Sequence, residues 1–135
     1  MTGVWKLKLA GAGALALLTL AAGPPEKPKA LAAASPGLWE ISGQPGAAAP
    51  RRMCVRNVAS LAQIEQQRGQ CARVVIRDLP TKTEIHYTCT EGGFGQSTIE
   101  LITPRSLRIE TQGIAESAPF HYVFQARRVG ECPVH

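Results

Sequence analysis

Thr81-Lys82-Thr83-Glu84-Ile85-His86-Tyr87-Thr88-Cys89-Thr90 alternates with a period of two. Thr83, Ile85, Tyr87 and Cys89 share one face; Lys82, Glu84, His86 and Thr88 share the other. That period marks a strand buried on one side and wet on the other, and hence an antiparallel sheet. Downstream, Gln96 to Thr103, Leu107 to Gln112 and Phe120 to Ala126 repeat the pattern. Ile99 and Leu101 point inward on the first of these. Phe120, Tyr122, Phe124 and Ala126 line one face of the last. Short turns at Pro104-Arg105-Ser106 and over Gly113 to Pro119 separate them. Upstream, Val74, Val75 and Ile76 mark a strand over Arg73–Asp78, and Leu38 to Ser42 a first strand with Trp39 and Ile41 on one face.

One helix interrupts this series. Asn57 is placed to cap it, and Val58, Leu61, Ala62 and Ile64 form its apolar side. Gln63, Gln66 and Gln67 face away, and Gly69 is placed to end it in a left-handed conformation. Gly43 to Pro50 reads as a loop. The pattern predicts an α+β, mostly β domain: an antiparallel meander sheet, free to curve or partly close, with one helix and two disulfides.

The first third of the chain is different in kind. Lys6 and Lys8 precede an uncharged run, Leu9 to Ala22, followed by small residues. This is the pattern of a secretory signal peptide, too short for a comfortable membrane span. Residues 1–22 are read as that signal, 23–36 as a Pro/Ala-rich linker or the rest of the export segment, and 37–135 as one folded domain. Cleavage fits before Gly23 or before Ser35. The protein is expected in the periplasm or secreted, with no stable membrane span after cleavage.

Charge follows the same division. Residues 1–34 hold four Lys and one Glu; residues 35–135 hold ten Arg, one Lys, eight Glu and one Asp. The basic balance is therefore not concentrated on the folded domain, which speaks against nucleic-acid binding.

Cys54, Cys71, Cys89 and Cys132 are an even set in an exported domain and imply disulfides. Four cysteines allow three pairings, and spacing does not choose among them. The pairing favoured here joins Cys54 to Cys71 across the helix and Cys89 to Cys132. Gaps of 16, 17 and 42 residues with no Cys-x-x-Cys argue against a zinc site, and no metal or cofactor is expected.

No catalytic residue stands out. Glu91-Gly92-Gly93-Phe94-Gly95 lacks the Lys-Ser/Thr ending of a phosphate loop and joins strand to strand. His86 and His121 fall on the outer face, and an enzyme would need them to converge with Glu84. The inward aromatics Trp39, Tyr87, Phe120, Tyr122 and Phe124 either fill the core or line a ligand pocket, with Trp39, Tyr87, Tyr122 and Phe124 the candidates for its lining.

Pro36-Gly37-Leu38-Trp39-Glu40-Ile41-Ser42, Cys54 and Cys71 around the helix, Tyr87-Thr88-Cys89-Thr90 before a glycine-rich turn, and Arg127-Arg128-Val129-Gly130-Glu131-Cys132 form a recognisable set. Over Ser35 to Cys132 the chain resembles the bacterial domain-of-unknown-function family numbered 3617. The Gly43–Arg52 stretch is shorter and richer in Ala and Pro than that pattern. The resemblance implies a small exported protein of proteobacterial envelopes and a matching set of four cysteines. It brings no activity and no catalytic residue. The expected function is a non-catalytic binding or interaction module for a small apolar ligand or an envelope protein. An alternative is an inhibitor of an envelope enzyme: the Tyr-x-Cys strand and C-terminal Cys are distantly similar to the β-barrel inhibitors of C-type lysozyme, though no inhibitory loop is found. An enzyme of unknown type is the third reading.

Overall fold

The computed structural model describes residues 27–134 and the isolated positions 2, 3, 11, 13, 14 and 16. The expected signal peptide thus lies almost wholly outside the described residues. Seven strands form one antiparallel sheet: β1 (Gly37–Ser42), β2 (Arg51–Val55), β3 (Cys71–Asp78), β4 (Lys82–Cys89), β5 (Phe94–Thr103), β6 (Ser106–Ala115) and β7 (Ala118–Gly130). Their order is β2-β1-β7-β6-β5-β4-β3. From β3 to β7 each strand pairs with its neighbour in sequence, which is the expected meander. The sheet stays open, with β2 and β3 at its edges.

The alternation of Thr81–Thr90 sets the register. Ile85 stands opposite Ser97, and Tyr87 opposite Gly95. Continued across β6 and β7, this places Ile85, Ile99, Leu107, Ile109, Phe124 and Ala126 on one face with Trp39 and Ile41. All eight are at most 2 % exposed. The opposite face is a lattice of cross-strand charges. Glu40 lies between Arg52 and Arg127, and Glu100 between Lys82 and Arg108. Such pairs each contribute modestly to sheet stability.

The helix expected after Asn57 is present but tighter. Val58–Gln66 is 3₁₀, broken by Gln63 at φ −118°, ψ 41°. Asn57 caps it, accepting the Ala59 amide at 3.1 Å. The break corrects two expectations. Gln63 turns inward, buried, and accepts the Arg73 guanidinium. Gly69 is not left-handed, because the helix has already ended at Gln67 in right-handed geometry. Val58, Leu61, Ala62 and Ile64 pack on the sheet as expected. The Ser97 hydroxyl donates to the Ala62 carbonyl and lies 2.8 Å from the Thr111 hydroxyl, so the helix is tied down in the middle of the core.

Three features depart further from the sequence reading. Arg51–Val55 forms edge strand β2, which lacks an alternating apolar run and is exposed except at half-buried Met53 and buried Val55. Within the segment read as linker, Lys29–Ala32 forms a short helix, α1. Its Leu31 is 2 % exposed and Ala34 4 %, both in the core cluster. Third, the disulfides are Cys54–Cys132 and Cys71–Cys89. The favoured pairing assumed that Cys54–Cys71 ties the two ends of the helical segment and that Cys89–Cys132 joins a mid-chain strand to the C-terminus. Strand pairing decides otherwise: β3 runs back along β4 with Cys71 directly opposite Cys89. Cys54 lies opposite Leu38, whose other neighbour is Gly130 at the end of β7, which brings Cys132 to the β2 edge.

Candidate functional site

The inward aromatics singled out in the sequence divide by position along the sheet. Trp39 and Phe124 are completely buried and Tyr87 is 2 % exposed. These three fill the core. Trp39 also fixes the start of the domain, its indole N–H donating to the Ser35 carbonyl at 3.1 Å. Tyr122 differs. It sits further along the inward face of β7, where helix cover ends, and is half-buried.

The inward row of β7 therefore runs from inside to outside as Phe124, Tyr122, Phe120. Ring centroids are 5.9 Å apart for the first pair and 6.2 Å for the second, both tilted. Beyond Phe124 the row lines a cleft of about 800 Å³ between the Gly43–Pro50 loop and the last helical turn. Phe120, Tyr122 and Ile64 supply apolar surface; Gln44, Arg51 and Glu65 supply polar groups. A second hollow of about 460 Å³ shares Arg51, Ile64 and Glu65 and continues toward Gly93 and Glu116. Both lie at the same end of the sheet, and each exceeds the lower bound for a small-molecule site. Sequence reading placed Phe120 on this inward face with Tyr122 but missed Gln44, Arg51 and Glu65 as their neighbours, because these come from a loop, an edge strand and a helix that no local pattern brings together.

The Tyr122 hydroxyl donates to the Glu65 carboxylate. Burial, and then this hydrogen bond to an anion, push the phenol's pKa far above its ordinary value, so it stays neutral. Tyr87 behind it is likewise raised, chiefly by burial. Its hydroxyl lies near Thr111, which already engages Ser97, and it has no partner in hydrogen-bonding geometry among the described residues. The space that admits it comes from glycine: a Cβ on Gly95 would lie 2.4 Å from the Tyr87 oxygen.

The outer-face histidines do not meet. His86 on β4 and His121 on β7 have β5 and β6 between them. Register puts His86, Gln96, Gln112 and His121 in one row. Three strand spacings separate the rings by about 14 Å. Each has its own carboxylate, Glu84 at 3.6 Å and Glu110 at 3.0 Å. Among the described residues no three His, Cys, Asp or Glu side chains gather as a metal site would require. No helix there is long and apolar enough to cross a membrane.

The family described as Protein of unknown function (DUF3617) matches residues 34–132. The chain belongs to that family. The match begins at Ala34 and ends at Cys132, so it takes in all seven strands of this DUF3617 domain and both disulfides. No curated protein and no solved structure matches it.

Proposed function

We propose that this DUF3617 chain is exported and works outside the cytoplasm as a non-catalytic binding module, with the Tyr122 cleft as its site. One observation carries the reading: the aromatic row of β7 continues past the core into an open cleft. A row meant only for packing would end where the helix cover ends. Here two further rings, Phe120 and Tyr122, stand half-buried on a wall with Ile64. The ligand this surface fits has an apolar body and a small polar group. The body would stack on the rings; the polar group would reach Arg51, Glu65 or Gln44 at the rim.

Export is supported by the basic, then apolar, N-terminus and by two disulfides with no cysteine left free. Cleavage before Gly23 fits better than before Ser35. The later cut would remove Leu31 and Ala34 from the core, and with them the Lys29 amide hydrogen bond to Asp78.

The test uses 1-anilinonaphthalene-8-sulfonate, an apolar fluorophore with one anionic group, on the oxidised protein. Saturable binding that Phe120→Ala weakens about tenfold or more, at unchanged thermal midpoint, supports the cleft. Binding indifferent to Phe120→Ala and Tyr122→Ala would refute it.

A further inference from the structure

Strand β3 has a partner on one side only: β4 covers it, and among the described residues nothing pairs with its other edge. The free backbone groups can be assigned. The Cys89 amide donates to the Gly93 carbonyl, on the β5 side, while the Thr90 amide donates to the Gln70 carbonyl, on the β3 side. Antiparallel pairing alternates, so Gln70, Ala72 and Val74 direct their backbone toward β4. The N–H and C=O of Cys71, Arg73 and Val75 face outward. These are the groups an added strand would bond.

The side chains are also unusual for an edge. Val74, Val75 and Ile76 are 59 %, 43 % and 53 % exposed, and Leu79, just beyond the strand, 46 %. Native edges are normally blunted by charges or bulges. Here the register shift between Val75 and Arg77 limits pairing to the first half of the strand, over Cys71–Val75. Beside that half, on the inward side, lies a cleft of about 520 Å³ lined by Val75, Ile85, Ala59, Arg56 and Arg73 and by Lys27.

Charge selects the occupant. Lys27, Arg56, Arg73 and Arg77 surround the edge, and none has an ion-pair partner within 4.0 Å among the described residues. The nearby carboxylates are engaged elsewhere: Asp78 accepts the Lys29 amide at 2.7 Å, and Glu84, opposite Arg77, accepts the Gln96 amide at 2.6 Å and lies 3.6 Å from His86. A second copy added antiparallel over Cys71–Val75 would be centred on Arg73 and set it against its own counterpart. Residues 1–26 carry Lys6 and Lys8 against a single Glu26, so they do not complement the edge either.

We propose that β3 is a docking edge for an extended polypeptide segment of a partner protein, one that alternates apolar and acidic residues. The segment adds antiparallel or parallel to Cys71–Val75 through main-chain hydrogen bonds. Its carboxylates turn to the inward side, where Lys27, Arg56 and Arg73 line the cleft, and its apolar side chains lie on the other face beside the exposed Val74. This edge lies away from the Tyr122 cleft and shares no residue with it, so either site can fail without the other.

The probe is the capped hexapeptide Asp-Val-Glu-Val-Asp-Val, with Lys-Val-Lys-Val-Lys-Val as its counterpart, titrated into the oxidised protein and followed by amide NMR. The acidic peptide should shift and protect the Cys71, Arg73 and Val75 amides, with binding weakened by added salt. Arg73→Ala, which keeps the outward N–H, should weaken binding about two- to fivefold. Arg73→Pro removes that N–H without touching the β3–β4 ladder and should weaken it at least about tenfold. The protected amides of β5 and β6 report in each variant that the sheet is intact. Equal binding of the basic peptide, shifts confined to another surface, no shift at about 1 mM peptide, or a β3-to-β3 dimer in sedimentation would each overturn the proposal.

Discussion

Removing each disulfide in turn should destabilise the domain unequally, and the order follows from chain topology. Cys54–Cys132 closes 78 residues and Cys71–Cys89 only 18. In the chain-entropy description, the first loop restricts the unfolded chain by about 4.5 kcal/mol and the second by about 3.2 kcal/mol. A domain of about 100 residues has an unfolding entropy near 0.2 kcal/mol/K, so the thermal midpoints should fall by roughly 20 °C and 15 °C. The variants are Cys54→Ala with Cys132→Ala, and Cys71→Ala with Cys89→Ala, compared by calorimetry under oxidising conditions. Thiol titration of the unfolded variants adds an independent reading. Each double variant should show no free thiol, because the two cysteines that remain are partners. Two free thiols in either variant would refute the pairing. A larger loss of midpoint in the Cys71/Cys89 variant would refute the loop-length reasoning while leaving the pairing intact.

Three other perturbations probe the core and the surface. Gly113→Ala should unfold or severely destabilise the domain, because the new Cβ would lie 2.2 Å from the Phe94 carbonyl oxygen and 2.6 Å from Gly95 Cα; urea denaturation measures this. Ser97→Ala leaves the Ala62 carbonyl without its side-chain donor and should cost about 1–3 kcal/mol in the same assay. Glu100 has its pKa lowered by its hydrogen bond to, and the charge of, Lys82, with Arg108 adding to the effect. Its contribution is therefore present above the ordinary carboxylate range and lost as pH falls through the depressed folded value. Glu100→Gln should flatten the acid limb of the stability profile slightly, since the pair is solvent-screened.

How far the fold could be read in the sequence depended on how each segment buries its side chains. Thr81–Thr90 and Leu107–Gln112 are wet on one face, so their period of two showed directly. The Val74-Val75-Ile76 run was recognisable as a strand, yet its position at an edge was not: a continuous apolar run ordinarily implies burial on both faces. Strand β2 carries Arg51, Arg52 and an exposed Cys54, so no hydrophobic period announced it. The buried Leu31 was hidden because its Pro- and Ala-rich surroundings look like a linker. The disulfide pairing was not legible because it depends on which strands meet across the sheet, and Cys132 reaches Cys54 only through β7 lying beside β1. The aromatic row of β7 was visible as alternation. Which of its rings would stand in the open depended on where the 3₁₀ helix stops, at Gln66.

The most direct test of the binding role is a native mass spectrum of the chain recovered from the envelope of its own host. The expected polypeptide begins at Gly23 and is four hydrogens lighter than its reduced form because of the two disulfides. It should carry added non-covalent mass that denaturation removes and that is absent from the Phe120→Ala protein. A bare folded species of that length, or an adduct that survives in the Phe120→Ala protein, would contradict the binding role.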